Sequence, residues 1–294
     1  MLAANRKIES SRPYGDYVGD AKDNLYLIGS GYIYSTPCFV ARIDSRFFAN
    51  VALTLGQSAF NVKVNDCDDD YKAVAARPGT SRFVTAPDVR LVSFNINPDH
   101  GLFRRFRLLP HSGILKLDRA AFDFLNDDLD AAYAGQLTIE QAKQLHGQVF
   151  DCAAHYLPEP EPLDARVKQM LDYLKQEGEG SLENIADVAR LSYKRTSSLF
   201  AQNVGLPLKG YLLWKKFQSY ELQVSKFGRS RSITEIAHAA GFSDSAHLCR
   251  TFQELFSAPP SYFFANPSVR VISSHRHNLM PNPGAEAANK DTAW

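Results

Sequence analysis

A pattern in the last third of the sequence occurs twice, and it restricts the fold more than any other feature. Ile185-Ala186 returns as Ile236-Ala237, and Ala189 returns as Ala240, at an offset of 51 residues; Ser192 then corresponds to Asp244 and Phe200 to Phe252 at 52. A repeat of this length with one residue inserted between its halves describes a supersecondary unit present in two copies. Each copy reads as helix, short turn, helix. In the first, Ser181 opens a helix over 182–189 and Ser192 opens another over 193–203. In the second, Ser232 caps 233–240, Gly241-Phe242-Ser243 make the turn, and Asp244 caps 245–256. Alanines at the matched positions let paired helices approach closely, which this geometry requires.

The surrounding sequence supplies a scaffold for the two copies. Val167, Met170, Leu171 and Leu174 form an apolar stripe that ends at Gly178 and Gly180. Between the copies, 208–227 reads as one long helix with Tyr211, Leu212, Phe217, Leu222 and Val224 apolar, which sets the separation of the two second helices. Upstream, Leu157-Pro158-Glu159-Pro160-Glu161-Pro162 removes backbone donors and favours an extended connector, so the domain boundary is placed at 158–163.

Before that boundary the pattern is different. Leu25 to Ile28, Phe47-Phe48, Val51 to Leu53, Phe60 to Val64 and Val89 to Phe94 are short aromatic or β-branched runs separated by turn formers. Their spacing predicts a small antiparallel sandwich or a cupin-like half barrel over 1–117. Asp66 to Asp70 lacks the Gly and Glu that a calcium-binding EF-hand loop needs, so a solvated turn is expected there. From Asp118 the period changes to that of helices. Phe122, Leu125 and Leu129 form one stripe; Leu137, Ala142, Leu145, Val149 and Tyr156 form a second, with Thr138 as a cap. The second stripe is either internal core or the contact face of a homodimer, and residues 118–157 are assigned as a helical extension on that basis.

Net charge is +1 overall, and it is informative only when divided. Residues 1–163 carry 17 Lys and Arg against 20 Asp and Glu, whereas 164–265 carry 13 against 10. The basic surplus therefore lies with the duplicated units. Cys38, Cys67, Cys152 and Cys249 are scattered, without CxxC spacing, and read as reduced thiols. There is no apolar run of membrane-spanning length and no signal-peptide pattern, so a cytoplasmic protein is expected.

The second copy has the form Ser232-Ile233-x-x-Ile236-Ala237-x-x-x-Gly241-Phe242-Ser243-Asp244-x-x-x-Leu248-x-Arg250-x-Phe252-x-x-x-Phe256, followed by Pro260. This resembles the AraC/XylS family of transcriptional regulators, and the resemblance covers about 164–265. It implies an α+β protein: an N-terminal cupin-like β domain with following helices, then an all-α C-terminal domain with two helix-turn-helix units, 182–203 and 233–256, joined by a long helix. It also implies double-stranded promoter DNA as partner, a homodimer, activation or repression of transcription, contact with RNA polymerase, and a small-molecule effector in the first domain. No catalysed reaction, metal or cofactor is implied. The DNA-reading residues it implies are Lys194, Arg195, Ser197 and Ser198 in the first unit, and Ser245, Ala246, His247 and Arg250 in the second. Arg250 suits two hydrogen bonds to a guanine or a clamp on a phosphate, and Ala246 suits a thymine methyl. The first unit departs from the family pattern at Arg190, where Gly is usual, at Thr196, where Leu is expected, and at Ser198, where Arg is common. Ser257 and Phe264 replace the usual closing Gly and Arg.

Two competing classes leave specific traces. A cupin-type metal enzyme needs clustered His and carboxylate ligands, whereas His100, His111, His146 and His155 are far apart in sequence. A protein-interaction module would use the same helices without the salt-dependent grip of phosphate contacts. In the first domain, Tyr26, Tyr32, Tyr34, Phe39, Phe47 and Phe48 form an aromatic wall that suits either core or pocket, and Arg42, Arg46 and Arg82 are the cations suited to an anionic effector. Cys249 beside Arg250 reads as a small tolerated side chain before it reads as a redox switch. His275-Arg276-His277 lies in a Pro-, Asn- and Ala-rich stretch, and 266–294 is expected to be a flexible tail.

Overall fold

In the computed structural model, the described residues are 23–43, 47–177, 181–227, 231–256, 260 and 268–273. The first half builds two facing sheets. Strands β1 (Asp23–Leu27), β2 (Gly31–Thr36), β4 (Ala49–Thr54), β7 (Ala73–Ala76), β9 (Leu91–Ile96), β10 (Ile114–Lys116) and β11 (Val269–Ile272) form a seven-stranded sheet in the order β10-β7-β4-β9-β2-β1-β11. Strands β3 (Phe39–Ile43), β5 (Phe60–Val64), β6 (Cys67–Tyr71) and β8 (Arg82–Ala86) form the second sheet in the order β3-β8-β5-β6. Every pairing is antiparallel except β1 with β11.

Side chains alternate across each strand, so the large sheet has two distinct faces. Tyr32 and Tyr34 of β2, Asn50 and Ala52 of β4, and Ser93 and Asn95 of β9 look towards the small sheet. Ile33, Val51, Val92 and Phe94 look the other way and are fully buried. Helices α2 (Asn126–Tyr133) and α3 (Ile139–Ala154) pack on that side; a 3-10 helix at Arg119–Leu125 packs on both, and α1 (Phe103–Arg107) meets α3 through Phe106 and Phe150. Thr138 caps α3 through a reciprocal box with Gln141, as its sequence position predicts. Ala142, Leu145 and Val149 are 0–1% exposed within this one chain, so the second stripe is internal core and is not available as a dimer face. Tyr156, at its end, is partly exposed.

Two local expectations are corrected. The acidic run Asp66 to Asp70 is not wholly a turn: from Cys67 it enters β6, an exposed edge strand on β5, where Asn61 donates to Asp68 and Asp70. Charged side chains on such an edge oppose pairing with a foreign strand. The stretch after the second unit is also not uniformly tail. Val269–Ile272 pairs with β1, and Val269 and Ile272 enter the core. A polar-rich stretch hid these four residues because their apolar pattern is too short to register alone. His275-Arg276-His277 lies outside the described residues.

The second half is helical: α4 (Ala165–Glu177), α5 (Leu182–Ala189), α6 (Tyr193–Val204), α7 (Leu208–Phe227), α8 (Ile233–Ala239) and α9 (Ser245–Phe256). Its buried residues follow the helical period, with Val167, Met170 and Leu174 of α4 at 0% exposure. Specific polar contacts join the two halves. The Arg104 guanidinium on α1 donates to Asn203 O at 2.9 Å and to Glu161 O at 2.7 Å, and Arg105 pairs with Glu159. The Tyr211 hydroxyl on α7 donates to Asp99, and the neighbouring carboxylate together with burial raises its pKa. The proline-rich connector is therefore fastened by arginines against α1. Among the described residues no helix is long and apolar enough to cross a membrane.

Candidate nucleic-acid interface

Each unit presents one helix whose inner face is packed and whose outer face is open. In α6 the buried positions are Thr196, Phe200 and Val204, spaced by four. Lys194, Arg195 and Ser198 are exposed and Ser197 is half-buried. In α9 the buried positions are Leu248, Thr251 and Phe252, while Ala246 and Arg250 are exposed and Ser245 and His247 are half-buried. All eight residues expected from the sequence thus lie on two helices, and four of them are half-buried or engaged locally before anything binds: Ser197, Ser245 and His247 by burial, and Ser198 by accepting from Gln202 Nε2 at 3.3 Å. His247 is the clearest case: its ring packs on Phe242 at 5.3 Å and its Nδ1 shares a 3.2 Å hydrogen bond with Ser243 Oγ. Tyr193, 46% exposed at the start of α6, is an open aromatic hydroxyl that the sequence pattern did not single out.

The caps of the two units differ. Ser232 accepts from Glu235 N at 3.2 Å, and its own amide and hydroxyl each donate to the Glu235 carboxylate at 2.8 Å. Those bonds hold the Glu235 pKa below the ordinary value. Asp244 accepts from His247 N at 2.6 Å, and that amide together with the Ser243 hydroxyl depresses its carboxyl pKa. In the first unit Ser181 caps α5 by accepting from Asn184 N at 3.1 Å, but Ser192 makes no side-chain cap to α6. The turns differ too. Gly241 has φ +80°, and its carbonyl accepts from Lys216 Nζ at 2.7 Å; Arg190, at the matching position, is held at φ +51°.

A cavity of about 80 Å³ lies between the two sheets. Of the aromatic wall, Tyr32, Tyr34, Phe39 and Phe48 line it, whereas Tyr26 and Phe47 do not. Among the described residues Arg82 is the one lining cation, Arg42 is exposed outside the cavity, and Arg46 lies outside the described residues. Among the described residues no carboxylate lines it. One further wall comes from the other half of the molecule: Phe256, the last residue of α9, packs on Tyr32 at 5.6 Å and on Phe48 at 5.5 Å. Glu221 of α7 acts electrostatically on Tyr32, and burial raises the Glu221 carboxyl pKa to about 7. On the opposite face, His100 and His146, distant in sequence, meet at 6.2 Å, but they stack with Phe150 and burial lowers the His146 pKa to about 4. Among the described residues no three His, Cys, Asp or Glu side chains gather as a metal site.

Two facing sheets followed by a duplicated helix-turn-helix define a two-domain protein with a DNA-binding type of C-terminal fold. Residues 185–266 match the family described as "Helix-turn-helix domain". The chain is 31% identical over 99 residues to the HTH-type transcriptional activator RhaS of Enterobacter sp. (strain 638), covering 33% of this chain and 35% of that protein. It is 29% identical over 83 residues to the uncharacterized HTH-type transcriptional regulator YpdC of Escherichia coli (strain K12), covering 28% of each. These alignments span about a third of the length of the curated relatives. A crystal structure of an apo ToxT variant from Vibrio cholerae strain SCE256 shares the fold, with a TM-score of 0.50 at 10% identity over 79% of this chain and 96% of that one. These matches agree with the resemblance of the C-terminal third of the chain to AraC/XylS-type regulators.

Proposed function

We propose that this protein is a sequence-specific DNA-binding regulator of transcription that acts at promoters in the cytoplasm and catalyses no reaction. The observation that carries the reading is Arg250, exposed on a helix whose opposite side is locked into the core, inside the segment that matches the helix-turn-helix family. Both units lie on the scaffold of α7, so α6 and α9 are expected to enter the major groove at separate positions, with Lys194, Arg195, Ser197 and Ser198 on one and Ser245, Ala246, His247 and Arg250 on the other. We take the acting form to be a homodimer. With the α3 stripe consumed internally, its interface must use other exposed apolar residues, of which Phe124 at 69% exposure is the most open among the described residues. Contact with RNA polymerase would use surface left free by DNA.

The cavity between the sheets is the proposed effector site. Among the described residues, one cation and no carboxylate within mainly apolar walls favour a mostly apolar molecule with one anionic end.

The test is selection of sheared genomic DNA by the full chain, followed by affinity measurement on the recovered fragment across salt concentrations. A regulator enriches discrete fragments and loses affinity steeply as salt rises. Equal retention of all fragments would refute sequence-specific binding, and a salt-independent signal would favour a protein-interaction role.

A further inference from the structure

The cavity is small for an effector site. Its volume of about 80 Å³ compares with the roughly 150 Å³ in which an engineered apolar cavity holds a single benzene. A molecule with a ring and an anionic end therefore requires one wall to move. The strand walls are poor candidates, because β2, β4 and β9 are paired on both sides and β8 is paired to β3 and β5.

Phe256 is different in kind. It is the final residue of a helix that belongs to the other half of the molecule, and it enters the cavity mouth from outside the sheets. It also belongs to the cluster that anchors its own helix, packing on Phe217 at 5.3 Å and on Phe252 at 5.0 Å, so one side of the ring faces that cluster and the other the cavity. Thirteen residues further on, the chain is fixed again at Val269 by β11. That second anchor is built with care for fit: Arg270 Nη1 donates to Ala134 O and Gly135 O at 3.3 Å, at the C-terminal end of α2. Gly135 has φ +70°, and a Cβ there would stand 2.3 Å from Asn24 Oδ1 and 2.4 Å from that nitrogen, so a larger residue would have to displace both side-chain ends.

We propose that Phe256 and a cavity ligand compete for the same space, so that filling the cavity undocks the end of the second recognition helix from the β domain while β11 keeps the chain tethered. The inference rests on the reading of the cavity as the effector site, and it adds how occupancy reaches the DNA-reading helix. The aromatic ring that lines the cavity and Arg250 are carried by the same helix, so a ligand that displaces the ring together with the helix end acts on the DNA-reading surface.

The probe is 8-anilinonaphthalene-1-sulfonate, an aromatic monoanion too large for the closed cavity, followed by fluorescence titration of the full chain. Phe256→Ala is expected to bind it at least five-fold more tightly than wild type, and Phe256→Leu by an intermediate factor that guards against loss of folding. Ala52→Leu and Ser93→Leu, which fill the cavity from β4 and β9, should weaken binding. In wild type, the probe should accelerate hydrogen exchange in 252–256. Equal or weaker binding by both Phe256 variants, with binding still sensitive to the filling variants, overturns the competition and leaves the effector reading intact. Binding insensitive to the filling variants, or no binding by any variant, overturns the effector reading and this inference with it.

Discussion

The two helix-turn-helix units are built on one plan from different chemistry. At the position where the second unit places Gly241 at φ +80°, the first places Arg190 at φ +51°. Where the second buries Leu248, the first buries Thr196, whose hydroxyl turns back to Ser192 O at 3.1 Å. Where the second caps its recognition helix with Asp244, the first has Ser192 in capping position without the bond. Where the second exposes Arg250, the first exposes Ser198. Each difference favours the second unit in local stability or in reach towards DNA. The first is compensated from outside, because its helix end and the connector before it are gripped by Arg104. A duplicated motif can therefore share its fold with its parts differently supported: the second copy carries its own cap at Asp244, while the first lacks that bond and is gripped by Arg104.

The largest expected effect tests the two cores. Leu248→Ala removes a fully buried side chain and should destabilise the second unit by about 3 kcal/mol, within the usual range for such truncations. Thr196→Ala deletes one methyl and one helix-bending hydroxyl and should cost about 1 kcal/mol. Native-state hydrogen exchange, read separately over 193–204 and 245–256, checks both. Equal losses in the two units would break the comparison.

Next in size is the DNA face. Arg250→Ala should weaken binding to the selected fragment by about 1–3 kcal/mol if the guanidinium reads a base. Ser198→Ala, its counterpart, should change affinity less than about three-fold, because a short hydroxyl is a weaker or water-mediated reader. A uniform loss across sequences, with the salt slope reduced by about 1, would assign Arg250 to phosphate instead. An equal effect at Ser198 would remove the asymmetry proposed for the interface.

The turns give a smaller effect of opposite sign in the two copies. A non-glycine residue in the left-handed region carries strain, so Gly241→Ala should destabilise the second unit by about 1 kcal/mol. Arg190→Gly relieves strain in the first but loosens the unfolded chain, leaving a net gain of about 0.5 kcal/mol. Exchange protection of α5 and α6 reads the gain; a loss on Arg190→Gly would show that the arginine side chain contributes more than its backbone costs.

These contrasts also show which features a sequence exposes. The duplicated units, the caps at Ser181, Ser232 and Asp244, and the stripes of α3 and α4 are local, so spacing reveals them. The sandwich was legible as short alternating runs, but which residues face the cavity depends on register between strands far apart in sequence, and that is why Tyr32 and Phe47, alike in the sequence, part company in the structure. Phe256 carried only the signal of a core aromatic at the end of a helix, since its partners Tyr32 and Phe48 lie more than two hundred residues away. The missing cap at Ser192 is a matter of side-chain orientation, which residue type alone does not specify. Strand β11 depends on β1 for its existence and has no pattern of its own.

The smallest effect is also the most selective, because only the second unit is capped by titratable groups. Glu235 and Asp244 have carboxyl pKa values held below their ordinary values by the hydrogen bonds of the caps, while Asn184 and Ser192 occupy the matching places in the first unit. A depressed carboxyl pKa contributes stability that is fully present above the unfolded value, roughly pH 4.3 for Glu and 3.9 for Asp, and is lost as pH falls through the folded value. Lowering pH from about 5 through that window should therefore reduce the protection factors, exchange rates being referred to the intrinsic rate at each pH, in 233–239 and 245–248 before 182–189 and 193–196. Both carboxylates are exposed, so solvent screens them and the shift will be modest. Glu235→Gln keeps the shape of the capping box without its charge and should remove its share of the pH response, leaving that of Asp244. If the first unit loses protection at the same pH as the second, the caps do not distinguish the two copies, and their difference rests on Leu248 and Gly241 alone.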